Sequence, residues 1–290
     1  MITIHDHDAL RPVVDRWRAA GETIAFVPTM GALHEGHLSL VRTARERADR
    51  VVVSIFVNPT QFDQASDLSA YPRTPERDAE LLEACGCDLL YLPTEQDLYP
   101  EGSATWVVPE GAAEGLEGAH RPGHFRGVAT VVLKLFHQVR PDLAVFGEKD
   151  AQQLAVIRQM ARDLFLPVEI VAGETVREED GLAMSSRNVR LGPAGGGDRE
   201  AALVLSRALR AGVEAAERAG EGGDAGAVRA AMRRVLKAEP RARVDYAEVV
   251  DARTFRHVDR LSAEVILPLA VRIGEVRLID NARVQLGIRN

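Results

Sequence analysis

Two histidines three residues apart, His34 and His37, stand in the string VPTMGALHEGHLSLV (27–41). The string leaves an apolar run that reads as a strand, turns at Gly31 and enters a helical pattern near Gly36. At that spacing the two imidazoles share one face of a helical turn. They sit beside a helix N-terminus, where free N–H groups and the helix dipole favour phosphate. Gly31 and Gly36 remove side chains where a nucleotide would approach the backbone. Imidazole N–H groups so placed would donate to phosphate oxygens as charge builds in an in-line transfer. Read alone, an HxxH pair is more often an ordinary polar feature of a surface or core. An i,i+3 pair also ligates zinc, but HEGH is not HExxH and no third ligand is evident. The order strand, glycine turn, histidine pair, helix is what favours phosphate.

Three further segments have the same character. In SIFVNPTQF (54–62), Asn58 and Gln61 follow an apolar run, and Pro59 sets the turn between them. Amides donate and accept at once, which suits a substrate bearing hydroxyl and carboxylate groups. In VFGEKDAQQL (145–154), Lys149 stands at a helix entrance, suited to neutralising phosphate. Gly147 permits close approach of a ribose or base, and Gln153 follows one helical turn beyond Lys149. In VREEDGLAMSSRN (176–188), Ser185, Ser186 and Arg187 supply two hydroxyls and a guanidinium on a glycine-tethered loop. Each segment in isolation is also what a solvated polar loop looks like. GEGGDAG (220–226) imitates a dinucleotide fingerprint but lies between two helical runs, and no GxxxxGK[ST] phosphate loop occurs.

The elements that must position these residues follow from periodicity. Strands are predicted at 23–27, 51–57, 89–92, 143–146 and 168–171. Helices are predicted at 36–48, from Thr74-Pro75 onward with Thr74 as N-cap, at 128–139 and at 150–164. This alternation predicts an α/β fold, a parallel sheet with helices on both faces. Ligands on such sheets bind beyond the carboxyl ends of the strands, which is where the first three segments fall, while 176–188 sits where the two predicted domains join. Residues 94–126, richer in Gly, Pro and acids, read as an excursion from the sheet. Beyond about residue 176 the pattern changes to helices at 201–218 and 228–237, then strands at 244–250 and 265–279. The predicted organisation is a domain at 1–176 and a smaller α+β domain at 177–290.

Bulk properties exclude other classes. The chain has 290 residues, 46% hydrophobic and 27% charged, which suits a soluble globular protein. With 36 Lys and Arg against 43 Asp and Glu, the net charge of −7 argues against a general nucleic-acid binder. The only two cysteines, Cys85 and Cys87, are one residue apart and ill-placed for a disulfide. The polar, acid-bearing start MITIHDHDALRPVV lacks the form of a signal peptide, and no apolar run reaches membrane-spanning length. A cytoplasmic location without membrane contact is expected.

Six strings together resemble the pantothenate synthetase family of the nucleotidylyltransferase superfamily. PTMGALHEGH resembles its HIGH-type signature, and MSSRN stands where the superfamily has a KMSKS-type loop. FVNPTQF, YPRT (71–74), RPGHFRGVATVVLKLF (121–136) and FGEKDAQQL are similar to further strings of that family, in the same order. The likeness is strong over residues 23–190 and weak beyond. Glu179 departs from it, since the family's REPDG string has proline there.

The resemblance implies a Rossmann-like fold, a homodimer, and an ATP-dependent carbon–nitrogen ligase. The implied reaction joins (R)-pantoate to β-alanine through a pantoyl-adenylate, forming pantothenate, AMP and pyrophosphate, with Mg²⁺ beside the ATP. By the same resemblance His37 is the proton donor and His34 and Lys149 are catalytic. Met30, Gly31, His34 and His37 would meet ATP. So would Gly147, Glu148, Lys149 and Asp150, and, further on, Val176, Met184, Ser185, Ser186 and Arg187. Gln61 and Gln153 would hold pantoate, and Gln61 would also meet the β-alanine carboxylate. Asp78 is a candidate Mg²⁺ partner, with the metal ligands left unassigned, and Arg121 and His124 are placed on the pantoate side. Two rivals stay open: a nucleotidylyltransferase that releases an adenylylated product, and a non-catalytic nucleotide-binding relative.

Overall fold

The computed structural model describes residues 1–193 and 196–287. The chain divides into two units: Met1–Glu148 with Val156–Glu174, and Lys149–Ala155 with Thr175–Asn290.

The first unit is built on six strands: β1 (Ile2–Ile4), β2 (Ile24–Thr29), β3 (Arg50–Ile55), β4 (Leu89–Tyr91), β5 (Leu143–Gly147) and β6 (Glu169–Gly173). They form one sheet in the order β1-β4-β3-β2-β5-β6, with every pair parallel. The helices between them are α1 (His7–Ala19), α2 (Glu35–Arg45), α3 (Ala65–Ser69), α4 (Pro75–Ala84), α5 (Glu95–Leu98), α6 (Leu116–His120) and α7 (His124–Val139). Helix α8 (Ala151–Asp163) joins β5 to β6, its first turn counted with the second unit.

The strands are apolar on both sides because both faces are covered. Ala25, Val27, Val51, Val53, Leu90, Val145 and Val171 pack against Leu40, Val41 and Ala44 of α2 and Leu82 of α4. Toward the other face, Phe136 of α7 makes edge-on ring contacts with Phe26 and Phe146 at 6.3 Å. Fully burying a Val or Phe contributes about 1.5–3 kcal/mol, so these short strands are held mainly by packing. Strand order reverses between β2 and β5, and that switch point opens a crevice at the carboxyl ends. Gly147 and Gly173 are paired in register there. A Cβ on Gly173 would collide with Leu40, so α2 lies directly on the ends of these strands.

The second unit contains α9 (Gly197–Ala202), α10 (Val204–Ala219), α11 (Ala225–Lys237), β7 (Ala242–Ala247), β8 (Val250–Asp251), β9 (Glu264–Ile273) and β10 (Val276–Gln285). The sheet is antiparallel, in the order β10-β9-β7, with β8 also on β9. Its core joins Leu205, Leu209, Met232 and Leu236 of the helices to Val265, Leu267, Leu269 and Val271 of β9.

The α/β reading is met, with three local differences. The polar N-terminus forms β1 and α1, because Leu10, Val14 and Trp17 make a buried stripe and Asp6 caps the helix through the Ala9 N–H at 2.7 Å. The apolar stretch 265–279 is a hairpin, turned at Gly274, whose φ is +55°. Strand 244–250 is broken: a bulge lies between Val244 and Tyr246, and β8 pairs separately. No described helix is long and apolar enough to cross a membrane.

Gly127 sets one approach that the site needs. A Cβ there would meet the Thr60 carbonyl oxygen at 2.6 Å and the Gln61 nitrogen at 2.8 Å. The 3₁₀ turn Pro59–Gln61 therefore rests on the backbone of α7. Alanine improves helix propensity by about 1 kcal/mol, but overpacking against backbone costs up to about 3 kcal/mol. Gly127→Ala is accordingly expected to lose about 2 kcal/mol net in urea unfolding. An unchanged midpoint would show that the turn and helix relax apart.

Candidate active site

The loop between β2 and α2 begins with two consecutive left-handed residues, Gly31 at φ +80° and Ala32 at φ +50°. Such a backbone persists only where its surroundings hold it. The holder is Asp78, on the first turn of α4 and 1% exposed. One of its oxygens accepts the Ala32 N–H at 2.9 Å, the other the Leu33 N–H at 2.8 Å and the Thr74 hydroxyl at 3.1 Å. Thr74 is at the N-cap position of α4 as expected, but its hydroxyl binds Asp78 instead of capping the backbone. A Cβ on Gly31 would meet Ile55 at 2.9 Å and Asp78 at 3.1 Å, so this glycine is needed by the turn and its packing. Asp78 thus serves the loop. Among the described residues, no cluster of three or more His, Cys, Asp or Glu could hold a metal ion.

The loop delivers His34 to the N-cap of α2 and His37 to its first turn. The His34 N–H donates to His37 Nδ1 at 3.3 Å, and the Gly36 N–H donates to His34 Nδ1 at 3.2 Å. The rings stand 4.1 Å apart, tilted by 39°. The N–H groups expected to lie open to phosphate at this helix end are therefore taken in part by the imidazoles. With Nδ1 accepting, each neutral ring carries its proton on Nε2.

Beyond β3, Asn58 is buried and fully oriented. Its Oδ1 accepts from the Tyr99 hydroxyl at 3.0 Å and the Thr60 hydroxyl at 2.9 Å, and its Nδ2 donates to the Gly127 carbonyl at 3.2 Å. Nδ2 also donates to Gln61 Oε1 at 3.0 Å, which turns Gln61 Nε2 toward Met30 Sδ at 3.1 Å. His124 Nδ1 at 2.9 Å and Arg121 at 3.2 Å both engage the Gln61 carbonyl. Met30, Gln61, Arg121 and His124 are thus brought together within the first unit. Tyr99 was not evident from sequence. It comes from the 94–126 excursion, its ring stacked on Trp106 at 6.0 Å with the Lys134 ammonium 4.3 Å from its centroid.

Gly147 ends β5 and Glu148 follows it, both in the first unit, and the remaining expected residues belong to the second. Lys149 lies in a 3₁₀ turn (Glu148–Asp150) just after β5, its ammonium 3.7 Å from the Asp150 carboxylate. Gln153 is on the first turn of α8, half-buried. Arg177 and Ala183 pair as a short antiparallel bridge, and the Met184 N–H takes the Val176 carbonyl at 3.0 Å. Ser185, Ser186 and Arg187 follow, with the Arg187 N–H donating to Ser185 Oγ at 3.3 Å. Arg199 of α9, a buried guanidinium absent from the sequence reading, grips Glu178 at 2.6 Å and Asp180 at 2.8 Å. Burial pushes the Asp180 carboxyl up, but the Leu182 N–H and Arg199 outweigh it and hold it below the ordinary range. Glu178 in turn accepts from Asn188 at 2.6 Å, so this hairpin is cross-braced without the proline that Glu179 replaces.

A family model described as pantoate-beta-alanine ligase matches residues 2–283. Among named relatives, pantothenate synthetase of Heliobacterium modesticaldum is 56% identical over 269 residues, covering 92% of this chain and 93% of its own length. That of Chloroflexus aurantiacus is 57% identical over 267 residues, covering 91% and 92%. Pantothenate synthetase from Thermus thermophilus superposes with a TM-score of 0.90 at 48% identity, covering 97% of this chain and 99% of that one. The ligase from Francisella tularensis, complexed with beta-gamma ATP and beta-alanine, gives 0.77 at 34% identity, with 97% of each chain covered.

The clamp on the loop is testable apart from activity. In Asp78→Asn, one of the two backbone donors faces an amide N–H₂ in place of an oxygen, a loss of about 1–3 kcal/mol. Ala32 and Leu33 amides should then exchange hydrogen faster than in the wild type while β3 amides do not. Equal protection of Ala32 and Leu33 in both proteins would show that the loop holds itself.

Proposed function

The chain belongs to the pantoate–β-alanine ligase family, and from that premise we propose how its own residues serve the reaction. As a member it is an ATP-dependent ligase that forms pantothenate from pantoate and β-alanine. In the proposed course, the pantoate carboxylate attacks the α-phosphorus of ATP and pyrophosphate leaves. The β-alanine amine then attacks the acyl carbonyl of the pantoyl-adenylate and AMP departs.

The observation that carries this reading is the mutual capping of His34 and His37. It fixes Nε2 as the N–H side of each neutral ring, an orientation suited to donating to oxygens that gain charge in phosphoryl transfer. His37 is assigned the proton-donor role and His34 the supporting one. Gln61 turns its N–H₂ end toward Met30 because Asn58 occupies its oxygen. That polarity suits a carboxylate or hydroxyl oxygen, so Gln61 is assigned to pantoate and to the carboxylate of β-alanine, with Gln153 as the second amide for pantoate. Arg121 and His124 act through the Gln61 backbone, which they hold. Met30, Gly31, Gly147, Glu148, Asp150, Val176, Met184 and Ser185 are assigned to the nucleotide. Lys149, Ser186 and Arg187 are assigned to phosphate by their charge and hydroxyl chemistry.

Mg²⁺ is proposed only as the companion of the triphosphate, since the described residues build no cage for it. A homodimer and a cytoplasmic location are proposed with the family; light scattering tests the dimer.

The deciding assay is pyrophosphate exchange into ATP with pantoate as the only acid. Exchange should require pantoate, and adding β-alanine should then yield AMP. Exchange in the absence of pantoate, driven by a phosphorylated acceptor, would favour a nucleotidylyltransferase instead. His37→Ala should lower kcat roughly a hundredfold with folding intact. A near-wild-type rate in that variant would remove the proposed role.

A further inference from the structure

Two segments assigned above to ATP, the turn carrying Lys149 and the loop carrying Ser185–Arg187, are distant in sequence yet meet two adjacent residues of β10. Arg177, at the base of the loop, forks onto Asp280 with bonds of 2.8 and 3.0 Å. The same guanidinium donates to the Gly181 carbonyl at 3.1 Å, bracing the hairpin tip. Asp280 is 3% exposed. The next residue, Asn281, donates its side-chain Nδ2 to the Lys149 carbonyl at 2.9 Å. The two are further tied to each other, the Asn281 N–H donating to Asp280 Oδ1 at 2.8 Å.

We propose that Asp280 and Asn281 are positioning residues that fix the Lys149 turn and the Ser185–Arg187 loop in one spatial register. Successive side chains of a strand project to opposite faces, so one strand holds a different segment on each side. β10 is a stiff platform for this, paired with β9 over its whole length from Val276 to Gln285. Holding mobile, charged groups from a regular element is what keeps them at productive distance from a phosphate. Asp280 acts through the guanidinium of Arg177, and Asn281 through the backbone of Lys149. Neither is assigned any contact with substrate. The inference rests on the reading that Lys149 and the serine–arginine loop serve ATP.

Asn281 is the better residue to change, because removing Asp280 would leave Arg177 facing a buried, uncompensated site. Asn281→Ala deletes the donor. Asn281→Asp keeps the shape but turns a carboxylate oxygen toward the Lys149 carbonyl. Arg283→Ala, on the same strand and paired with Glu264, controls for damage to β10. In the purified full chain, both Asn281 variants should lower pantoate-dependent pyrophosphate exchange or raise the KM for ATP by about 3- to 10-fold, the scale of one hydrogen bond. Asn281→Asp should be the more impaired. The KM for β-alanine and the thermal midpoint should stay at wild-type values, and Arg283→Ala should match wild type throughout. Wild-type ATP kinetics in both Asn281 variants, beside an impaired Lys149→Ala, would overturn the proposal. So would equal losses in the ATP and β-alanine steps, which signal general damage. Unimpaired ATP kinetics in Lys149→Ala would bring down the underlying reading, and this inference with it.

Discussion

A buried carboxylate bound to two consecutive backbone N–H groups is the constraint on which the first unit's chemistry depends. The chain must leave the sheet at the end of β2 and start a helix within a few residues, in reach of the strand ends. Gly31 and Ala32 achieve this only by turning left-handed in succession, and Asp78 supplies the oxygens that make that turn stable. An ionised carboxylate is a strong acceptor for backbone donors in a dry site, where an unpaired N–H would be costly. The loop's shape is thus set by a residue from another helix, and His34 and His37 inherit their places from it.

From that placement the histidines take on two tasks at once. Each Nδ1 satisfies a helix N–H that would otherwise lack a partner, and each ring is thereby held in one tautomer. The structural task uses Nδ1, and the chemical role proposed for these rings uses Nε2, so the two do not compete. Gln61 shows the same economy of atoms. Its backbone carbonyl is held by His124 and Arg121 and its side-chain oxygen by Asn58, which commits the remaining amide nitrogen to one direction.

The site roles proposed from sequence rest on residue type in short loops. The histidine pair, the Asn58–Gln61 turn, Lys149 and the serine–arginine loop are all short strings with local context. The α/β alternation was legible because β2, β3 and β5 are centred on the apolar runs 24–27, 51–53 and 143–146. What was hidden acts over long sequence separations. Asp78 reads from sequence as a candidate Mg²⁺ partner and not as a clamp on the loop, since the N–H groups it binds lie 45 and 46 residues away. Tyr99 reaches Asn58 from a stretch with no periodicity, and Arg199 grips acids some twenty residues earlier. β1 and α1 were missed because Pro12 interrupts a helical stripe of only three apolar positions. The β9–β10 hairpin was hidden by its uniform apolarity, which a single glycine divides.

The glycine at 173 sits against Leu40, a single helical turn beyond His37. The room for the Leu40 tip beneath α2 is therefore made by an absent methyl group on a neighbouring strand. Among descendants of this chain, or in libraries built to widen its choice of acid, the outward face of α2 has latitude to drift. Position 173 is narrower: the first atom a side chain would meet there is the Leu40 Cδ2 tip, so an alanine asks one flexible side chain to turn, while anything bulkier presses on the packing beneath α2.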